Sequence, residues 1–598
     1  MIDYRNETIT ILYGSETGNS QELAERIWRE SKCYYFSGPI LCMDDYNVEH
    51  LINETCVIFV CSTTGQGEEP ENMRRFWRFL LRKSLSKDSL INLRFAVLGL
   101  GDSSYVKFNF AAKRLNKRLS QLGGNCLQPI GLGDEQHDLG RDAVANPWID
   151  SLWNKLNEVY PLPKSIKPLS RTNIVPRWNV KTKLLENVVI KTSQQSIYYS
   201  TKPETEFTVK VLDNIRETSK THFQDVRLLR LQTEGEKYLP GDIIILRPKN
   251  HLDQIKEFER ILQENQVNID ENTIFSVSQI TGDVPVPNPL KYQVTFRQLC
   301  EEYFDLTAVP RRYTFSVLGH LTDNELEREK CNEFISPEGQ DAMYDYATRP
   351  HRTIVEVLQD FPHATKNITH DILFEIFPPI KPRDFSIASS FKAHQNEIHI
   401  LVAIVKYKTN LKKERMGLCS NFLAGLKVGD KISVWTKKGT FQFPKETDSP
   451  VIMVGPGTGM SAFRSYIHER VADGTATKEN LTLFFGCRGE KTDFLCKEEF
   501  LTFEKENKLN LFVAFSRDQD YKIYVQHKIK DNMDLVWNLL KNEKCHVYVA
   551  GSSKSMPQDV RSAFVAVCIE KGGLTPDSAE EFIANMEKYN RYQQETWF

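Results

Sequence analysis

The chain has 598 residues, 40% hydrophobic and 11% aromatic, with 77 lysines and arginines against 79 aspartates and glutamates. That length exceeds one hydrophobic core and fits about three to four domains, and the apolar content is that of folded protein rather than disorder. Near-balanced charge argues against a nucleic-acid partner or an anionic membrane surface.

In chain order, Met1 to Glu7 shows neither an apolar signal core nor an Arg/Ser-rich transit character. No apolar run approaches the ~20 residues of a membrane helix, so the expected location is cytoplasmic, with no membrane contact. Up to about residue 157, short β-rich runs alternate with amphipathic helices: Ile9–Tyr13, then Gln21–Glu30; Val57–Val60, then Phe76, Phe79 and Leu80; Phe95–Leu98, then Leu115, Leu119 and Leu122. Alternation of this size predicts a parallel sheet wound on both faces, an α/β domain. Residues 158–200, punctuated by Pro161, Pro163, Pro168 and Pro176, read as a linker. Strand-rich segments at Phe207–Val211, Val226–Leu231 and Ile243–Leu246, resumed at Phe385–Ala388 and Ile398–Ile404, predict an antiparallel barrel over 201–447. A helical insert, about 252–370, interrupts it. From 448 to 598 parallel strands return at Val451–Val454, Leu481–Phe485, Leu511–Phe515 and His546–Val549. The twelve cysteines form no Cys-x-x-Cys pair and read as core thiols rather than a metal centre.

The strand exits carry the chemistry. Gly14-Ser15-Glu16-Thr17-Gly18-Asn19-Ser20 lies between a buried strand and a helix, where unpaired N–H groups and the helix dipole suit a phosphate. A capped turn explains that segment equally well. Further exits at Ser62-Thr63-Thr64-Gly65, at Leu100-Gly101-Asp102-Ser103-Ser104-Tyr105 with Phe108 and Asn109, and at Leu132-Gly133-Asp134-Glu135 favour a ligand at the carboxyl ends of the strands. With these residues the segment resembles the flavodoxin-like FMN domain of the diflavin reductases. The resemblance implies that Ser15 to Asn19 hold the FMN phosphate and that Tyr105 stacks on the flavin. Thr64 stands where microsomal members place a second stacking tyrosine, so one flavin face is expected to be less covered.

The same resemblance assigns FAD to Arg383-Asp384-Phe385-Ser386 and to Gly417-Leu418-Cys419-Ser420 at a helix start, with Arg349 as a further contact. Gly455-Pro456-Gly457-Thr458-Gly459 resembles a ferredoxin-reductase pyrophosphate loop. Ser516, Arg517, Lys522, Tyr524 and Gln526, together with Asp559, would hold NADPH, the cations meeting its 2′-phosphate. Ser386, Glu595 and Trp597 are the residues the family would place at hydride transfer, Trp597 covering the FAD ring after a polar helix. The family's cysteine there is Ala550 in this chain, and Glu595 replaces its aspartate. The motif run from Thr63 through Asn109 is most similar to the small cytosolic branch of these reductases, which implies an anamorsin-like iron–sulfur acceptor in cytosolic iron–sulfur cluster assembly. A haem protein or another one-electron acceptor is the alternative. A nucleotide-binding scaffold without catalysis is the competing class, against which three ordered cofactor loops argue. Acidic residues at the FMN-side loops (Glu16, Glu68, Glu69, Asp102, Asp134, Glu135, Asp138) form the expected acceptor rim.

Overall fold

The computed structural model describes residues 7–65, 67–105, 107–170, 173–184, 196–198 and 206–597. Gln66 and Val106 of the loop motifs, and 171–172, 185–195 and 199–200 of the expected linker, lie outside the described residues. The chain divides into two compact units: Met1–Thr201 with Asn250–Lys381 and Thr409–Leu411, and Lys202–Lys249 with Pro382–Lys408 and Lys412–Phe598.

The first unit opens as β1 (Thr10–Gly14), α1 (Asn19–Cys33), β2 (Ile40–Cys42), β3 (Cys56–Ser62), α2 (Arg74–Leu80), β4 (Arg94–Gly101), α3 (Phe110–Gln121), β5 (Asn125–Cys126), β6 (Gly131–Asp134) and α4 (Asp142–Val159). The strands pair in parallel in the order β2-β1-β3-β4-β5, with β6 also on β4. β3 and β4 are buried on both faces, which is why they read as continuous apolar runs. α1 buries Leu23, Ala24, Ile27 and Trp28 at helical spacing. The sequence reads 158–200 as irregular, yet Trp178–Lys183 forms β7. Trp178 is buried, with its indole N–H donating to the Pro285 carbonyl.

The chain then supplies β8 (Phe207–Arg216), β9 (Val226–Gln232) and β10 (Ile243–Leu246) to the second unit and returns to the first with α5 (Leu252–Glu264), β11 (Ile274–Gln279), β12 (Val294–Thr295), α6 (Arg312–Leu321), α7 (Glu325–Ile335) and α8 (Ile354–Asp360). β11 pairs antiparallel with both β7 and β12. The helical insert therefore belongs to the same compact unit as the flavodoxin-like sheet, although in sequence it interrupts the barrel. A continuous core joins them, from Ile11 and Trp153 to Phe258, Phe304 and Phe374. Beside it lies a buried ionic cluster. Arg177 reaches Glu25 at 3.0 Å, Arg29 reaches Glu375 at 3.0 Å, and the Arg177 backbone N–H donates to Glu375 at 2.9 Å. The Arg29 guanidinium lies 4.0 Å from the centre of the Tyr313 ring.

The second unit continues with β13 (Arg383–Ser386), β14 (Glu397–Ala403), β15 (Lys406–Tyr407), β16 (Arg415–Met416), α9 (Leu418–Gly425) and β17 (Lys431–Lys437). Its first sheet is antiparallel, in the order β13-β10-β17-β8-β9-β14. A bridge between Ile387 and Ile400, with the Ala388 N–H donating to the His399 carbonyl, joins the two edges and closes the barrel. Then come β18 (Val451–Pro456), α10 (Ser461–Ala472), β19 (Leu481–Cys487), β20 (Asn510–Phe515), α11 (Val525–Asp531), β21 (His546–Ser552), α12 (Met556–Glu570) and β22 (Tyr592–Trp597). The strands form a parallel sheet in the order β20-β19-β18-β21-β22. The segment containing Trp597, for which the sequence predicts no strand, is thus a sheet strand, aligned so that Glu595 faces Ala550. All twelve cysteines are free, ten of them buried.

Candidate functional site

The loop after β1 turns into α1 through Gly18, whose φ of 93° is left-handed. The Gly18 N–H donates to Ser15 Oγ at 2.9 Å, and the Ser15 N–H donates to Asn72 Oδ1 at 2.8 Å. Ser15 therefore shapes the loop with groups the sequence reading had assigned to the phosphate. The donors left over are the N–H groups of the first helical turn, which have no intrahelical acceptor. In that turn Ser20 is 0% exposed, and its hydroxyl finds no hydrogen-bond partner among the described residues. An orphaned buried hydroxyl at a helix start suits a phosphate oxygen.

The other exits of this sheet are tied to one another. Asp102 accepts the N–H and hydroxyl of Ser104 at 2.8 and 2.6 Å, and Gln136 Nε2 at 3.0 Å. Asp134 accepts the N–H groups of Ser103 and Gln136. Burial pushes the Asp134 carboxyl up, but these hydrogen bonds outweigh it and hold it below the usual carboxylate range. Asn109, at a left-handed φ of 54°, donates to the Gly133 carbonyl, while its Oδ1 has no partner among the described residues. Ala111 N–H binds Thr63 Oγ1, and Thr64 pairs with Glu68 across a tight turn. Tyr105 and Phe108 are half-buried in the same loop. The acidic rim is smaller than the sequence suggests. Glu69 is paired with Arg114 at 3.0 Å and largely covered, Glu16 accepts the Glu71 N–H, and Asp102 and Asp134 brace loops. Glu16, Glu68, Glu135 and Asp138 are the exposed members, and Glu135 lies 3.8 Å from Arg141.

In the second unit β13 lies in register with β10, so that Phe385 faces Ile244 and Ser386 faces Ile243. Arg383 and Asp384 are exposed, and Asp384 pairs with Lys437 at 3.0 Å. α9 starts at Gly417 with no side-chain cap. Arg383 lies close enough to that start to pull the Cys419 thiol down, although burial dominates and pushes it up to about 12. A cation and an open helix start are thus brought together at Gly417–Ser420, as a pyrophosphate requires. Ser386 Oγ donates to Glu595 Oε1 at 3.3 Å. Burial, reinforced by the nearby Asp384 charge, raises the Glu595 carboxyl, and the Ser386 hydrogen bond opposes the shift only partly. The structure therefore joins two residues 209 positions apart in sequence, both expected at hydride transfer. Trp597, on the same strand as Glu595, is 38% exposed.

The loop after β18 is built for close approach. A Cβ on Gly459 would lie 2.3 Å from the Ala550 carbonyl oxygen, whereas one on Gly457 would meet nothing within 4 Å. Thr458 sits between them, its carbonyl accepting the Ser461 hydroxyl at 2.7 Å. After β20, Ser516 N–H binds the Cys487 carbonyl, Arg517 and Lys522 are exposed, and Tyr524 caps α11. Gln526 reaches Asp559 at 3.5 Å. Neither the Arg517 nor the Lys522 head group makes an ion pair among the described residues, a state suited to an incoming phosphate. In the first unit Arg349 is held by Asp341, at 2.9 Å, and by Asp345.

Two residues escaped the sequence reading of the site. Asn72 braces Ser15, and Lys381 sits beside Gly18, its Nζ donating to Gln21 Oε1 at 3.1 Å. A contact spanning 360 residues leaves no local signal.

Family models match three successive segments: Flavodoxin at residues 11–148, FAD binding domain at 200–422 and Oxidoreductase NAD-binding domain at 453–562. The chain is 44% identical to NADPH-dependent diflavin oxidoreductase 1 of Xenopus laevis, over 99% of both chains. It is also 44% identical to the Danio rerio protein of that name, over 99% of both. To the Schizosaccharomyces pombe protein it is 36% identical, over 99% of this chain and 100% of the relative.

Proposed function

Since the chain belongs to the NADPH-dependent diflavin oxidoreductase family, an oxidoreductase with FMN, FAD and NADP domains, we propose that it delivers electrons from NADPH to an anamorsin-like iron–sulfur protein in cytosolic iron–sulfur cluster assembly. We assign 1–157 to FMN, 201–447 to FAD with its helical insert, and 448–598 to NADPH, 158–200 joining the first two.

FMN is placed against Ser15–Ser20, Ser62–Gly65, Leu100–Tyr105, Phe108, Asn109 and Asp134. FAD is placed against Arg349, Arg383–Ser386 and Gly417–Ser420. NADPH is placed against Thr458, Ser516, Arg517, Lys522, Tyr524, Gln526 and Asp559. When bound, these groups supply hydride acceptance followed by one-electron release. The protein's part is positional. Asp102 and Asp134 brace the loops of the first site, and Gly459 lets the third loop approach β21 without a side chain between them. Ser386 orients Glu595, whose raised carboxyl holds a proton at Oε1 or Oε2 to higher pH than an ordinary glutamate. Trp597, alongside Glu595 on β22, is assigned the covering of the FAD ring, to be displaced before nicotinamide can stack there.

One observation supports a protein acceptor at the first site: Glu68, Glu135 and Asp138 stand exposed at the loops where the strands of that sheet end. The test is stopped-flow reduction of a purified anamorsin-type [2Fe–2S] protein by the full-length enzyme, with a haem protein in parallel. Reversing the three charges to lysine is expected to slow reduction of the iron–sulfur protein at low salt while bleaching of the flavins by NADPH continues. Reduction of the haem protein alone, or acceptor rates indifferent to the reversal, overturns the assignment.

A further inference from the structure

α10 leaves the loop Gly455–Gly459 almost wholly buried in its first two turns. Among Ala462, Phe463, Tyr466 and Ile467 it buries Arg464 and Ser465, at 4% and 0% exposure. A guanidinium is costly to desolvate, and it adds little cohesion over an apolar side chain of its size. What it does supply is a rigid fork of N–H donors that fixes one geometry.

Those donors run to the segment that continues from Ser386. Arg464 Nη1 donates to the Ala388 carbonyl at 2.6 Å and to His399 Nδ1 at 3.2 Å. Nε and Nη2 form a fork on Glu499 of the helix Lys497–Lys505, Nη2 at 3.0 Å. The Ser465 hydroxyl donates to the Ser389 carbonyl, and the Ser390 hydroxyl donates to Glu469 of α10. One helix thus holds three successive residues, each 0% exposed. From the barrel side, Tyr238 meets Ser389 Oγ at 2.6 Å and the His399 N–H donates to it at 2.9 Å.

These contacts close a circuit. Gly459 packs on the Ala550 carbonyl, Ala550 lies in register with Glu595, and Glu595 accepts the Ser386 hydroxyl. Ala388, two residues beyond Ser386, returns to Arg464, five residues beyond Gly459. We propose that Arg464 is a positioning residue for hydride transfer, setting the distance between the loop assigned to NADPH and the Ser386–Glu595 pair assigned to the FAD side. The inference rests on those two assignments. A displacement of about 1 Å between reacting groups can cost a hundredfold in rate, so a rigid buried fork has a kinetic consequence that an apolar contact of equal cohesion lacks.

The test uses the full-length, flavin-loaded protein and its Arg464→Met variant. Stopped-flow reduction of FAD at saturating NADPH gives the limiting rate, NADP+ titration gives the affinity, and hydrogen exchange with and without NADP+ reports on 386–390 and 455–460. The Met variant is expected to lose about tenfold to a hundredfold in limiting rate, to keep NADP+ affinity within about twofold, and to exchange faster at 386–390. Arg464→Lys, which can reach the Ala388 carbonyl or Glu499 but not hold both, is expected to recover part of the rate. An unchanged limiting rate overturns the proposal, and so does a fall in rate matched by the fall in NADP+ affinity, which would mark a merely structural arginine. Should the Met variant fail to fold, Ser465→Ala removes only the neighbouring bond to Ser389. A lower limiting rate at unchanged NADP+ affinity supports the proposal there, and an unaltered rate overturns it. If NADP+ gives no protection at 455–460 in the unaltered protein, the placement of the nucleotide falls and the proposal with it. Protection there, with exchange at 386–390 indifferent to Arg464→Met, overturns the proposal alone.

Discussion

Removing the cations that follow β20 tests whether this chain distinguishes NADPH from NADH by charge. Arg517 and Lys522 are exposed and carry no ion pair among the described residues, so neither must break a contact before it meets a 2′-phosphate. For unit charges 4 Å apart, Coulomb attraction is about 1 kcal/mol in water and about 4 kcal/mol at a protein surface of effective dielectric ~20. Exposure argues for the lower part of that range, about 1.5–2 kcal/mol for one charge-assisted contact. Arg517→Ala should therefore raise KM for NADPH about tenfold to thirtyfold. The double variant with Lys522→Ala should raise it further, by less than the product of the two if the cations share one phosphate oxygen set. NADH lacks the phosphate, so its KM should barely move, and kcat at saturating NADPH should be preserved because the lost contact is the same in ground and transition states. Steady-state reduction of ferricyanide with each nucleotide, at low and high salt, measures both. Equal losses for NADPH and NADH would refute the reasoning, because they would mean that the arginine supports the loop rather than the phosphate.

Gly459→Ala should abolish nucleotide binding or unsettle the last sheet, since its Cβ would meet a backbone oxygen at 2.3 Å, whereas Gly457→Ala should cost only about 1 kcal/mol of backbone strain; equal effects in an NADP+ titration would contradict this geometry. Glu375→Ala strips a carboxylate whose side chain is 2% exposed from both Arg29 and Arg177, and should cost about 3–5 kcal/mol. Thermal unfolding should then release FMN earlier, and an unchanged FMN-release midpoint would show the cluster to be dispensable. Acid should destabilise the second unit through His399. Arg464 Nη1 donates to its Nδ1 at 3.2 Å and its Nε2 faces Glu397 at 2.7 Å, which fixes a neutral imidazole with its proton on Nε2. Burial, and then the Arg464 charge, push it from 6.5 down to about 4. Because the folded state resists a proton that the unfolded chain accepts, this contribution is complete above pH ~6.5 and is lost as pH falls toward 4, about 3 kcal/mol in all. Urea titrations between pH 7 and 4 should show that loss reduced in His399→Gln; an identical pH slope in the variant would exclude the histidine as the cause.

Local patterning made much of this protein legible before any coordinates. Val57–Val60 and Phe95–Leu98 announce central strands because burial on both faces requires uninterrupted apolar runs. The small and glycine residues at Ser15–Ser20 and Gly455–Gly459 announce strand-to-helix turns, whose open amides are what an anion would meet. β22 was missed because a polar edge strand such as Gln593-Gln594-Glu595 has no amphipathic period, and only its pairing with β21 makes it a strand. β7 alternates Trp178 and Val180 with polar residues but is short and lies among prolines, and its order comes from β11, about a hundred residues away. The grouping of the helical insert with the flavodoxin-like sheet, the brace of Asn72 on Ser15 and the placing of Lys381 beside Gly18 are decisions of tertiary packing. A sequence window carries propensity and periodicity, which act over a few residues. Which distant groups share a site is settled only when burial of the common core brings their elements together, and that free energy belongs to no single segment.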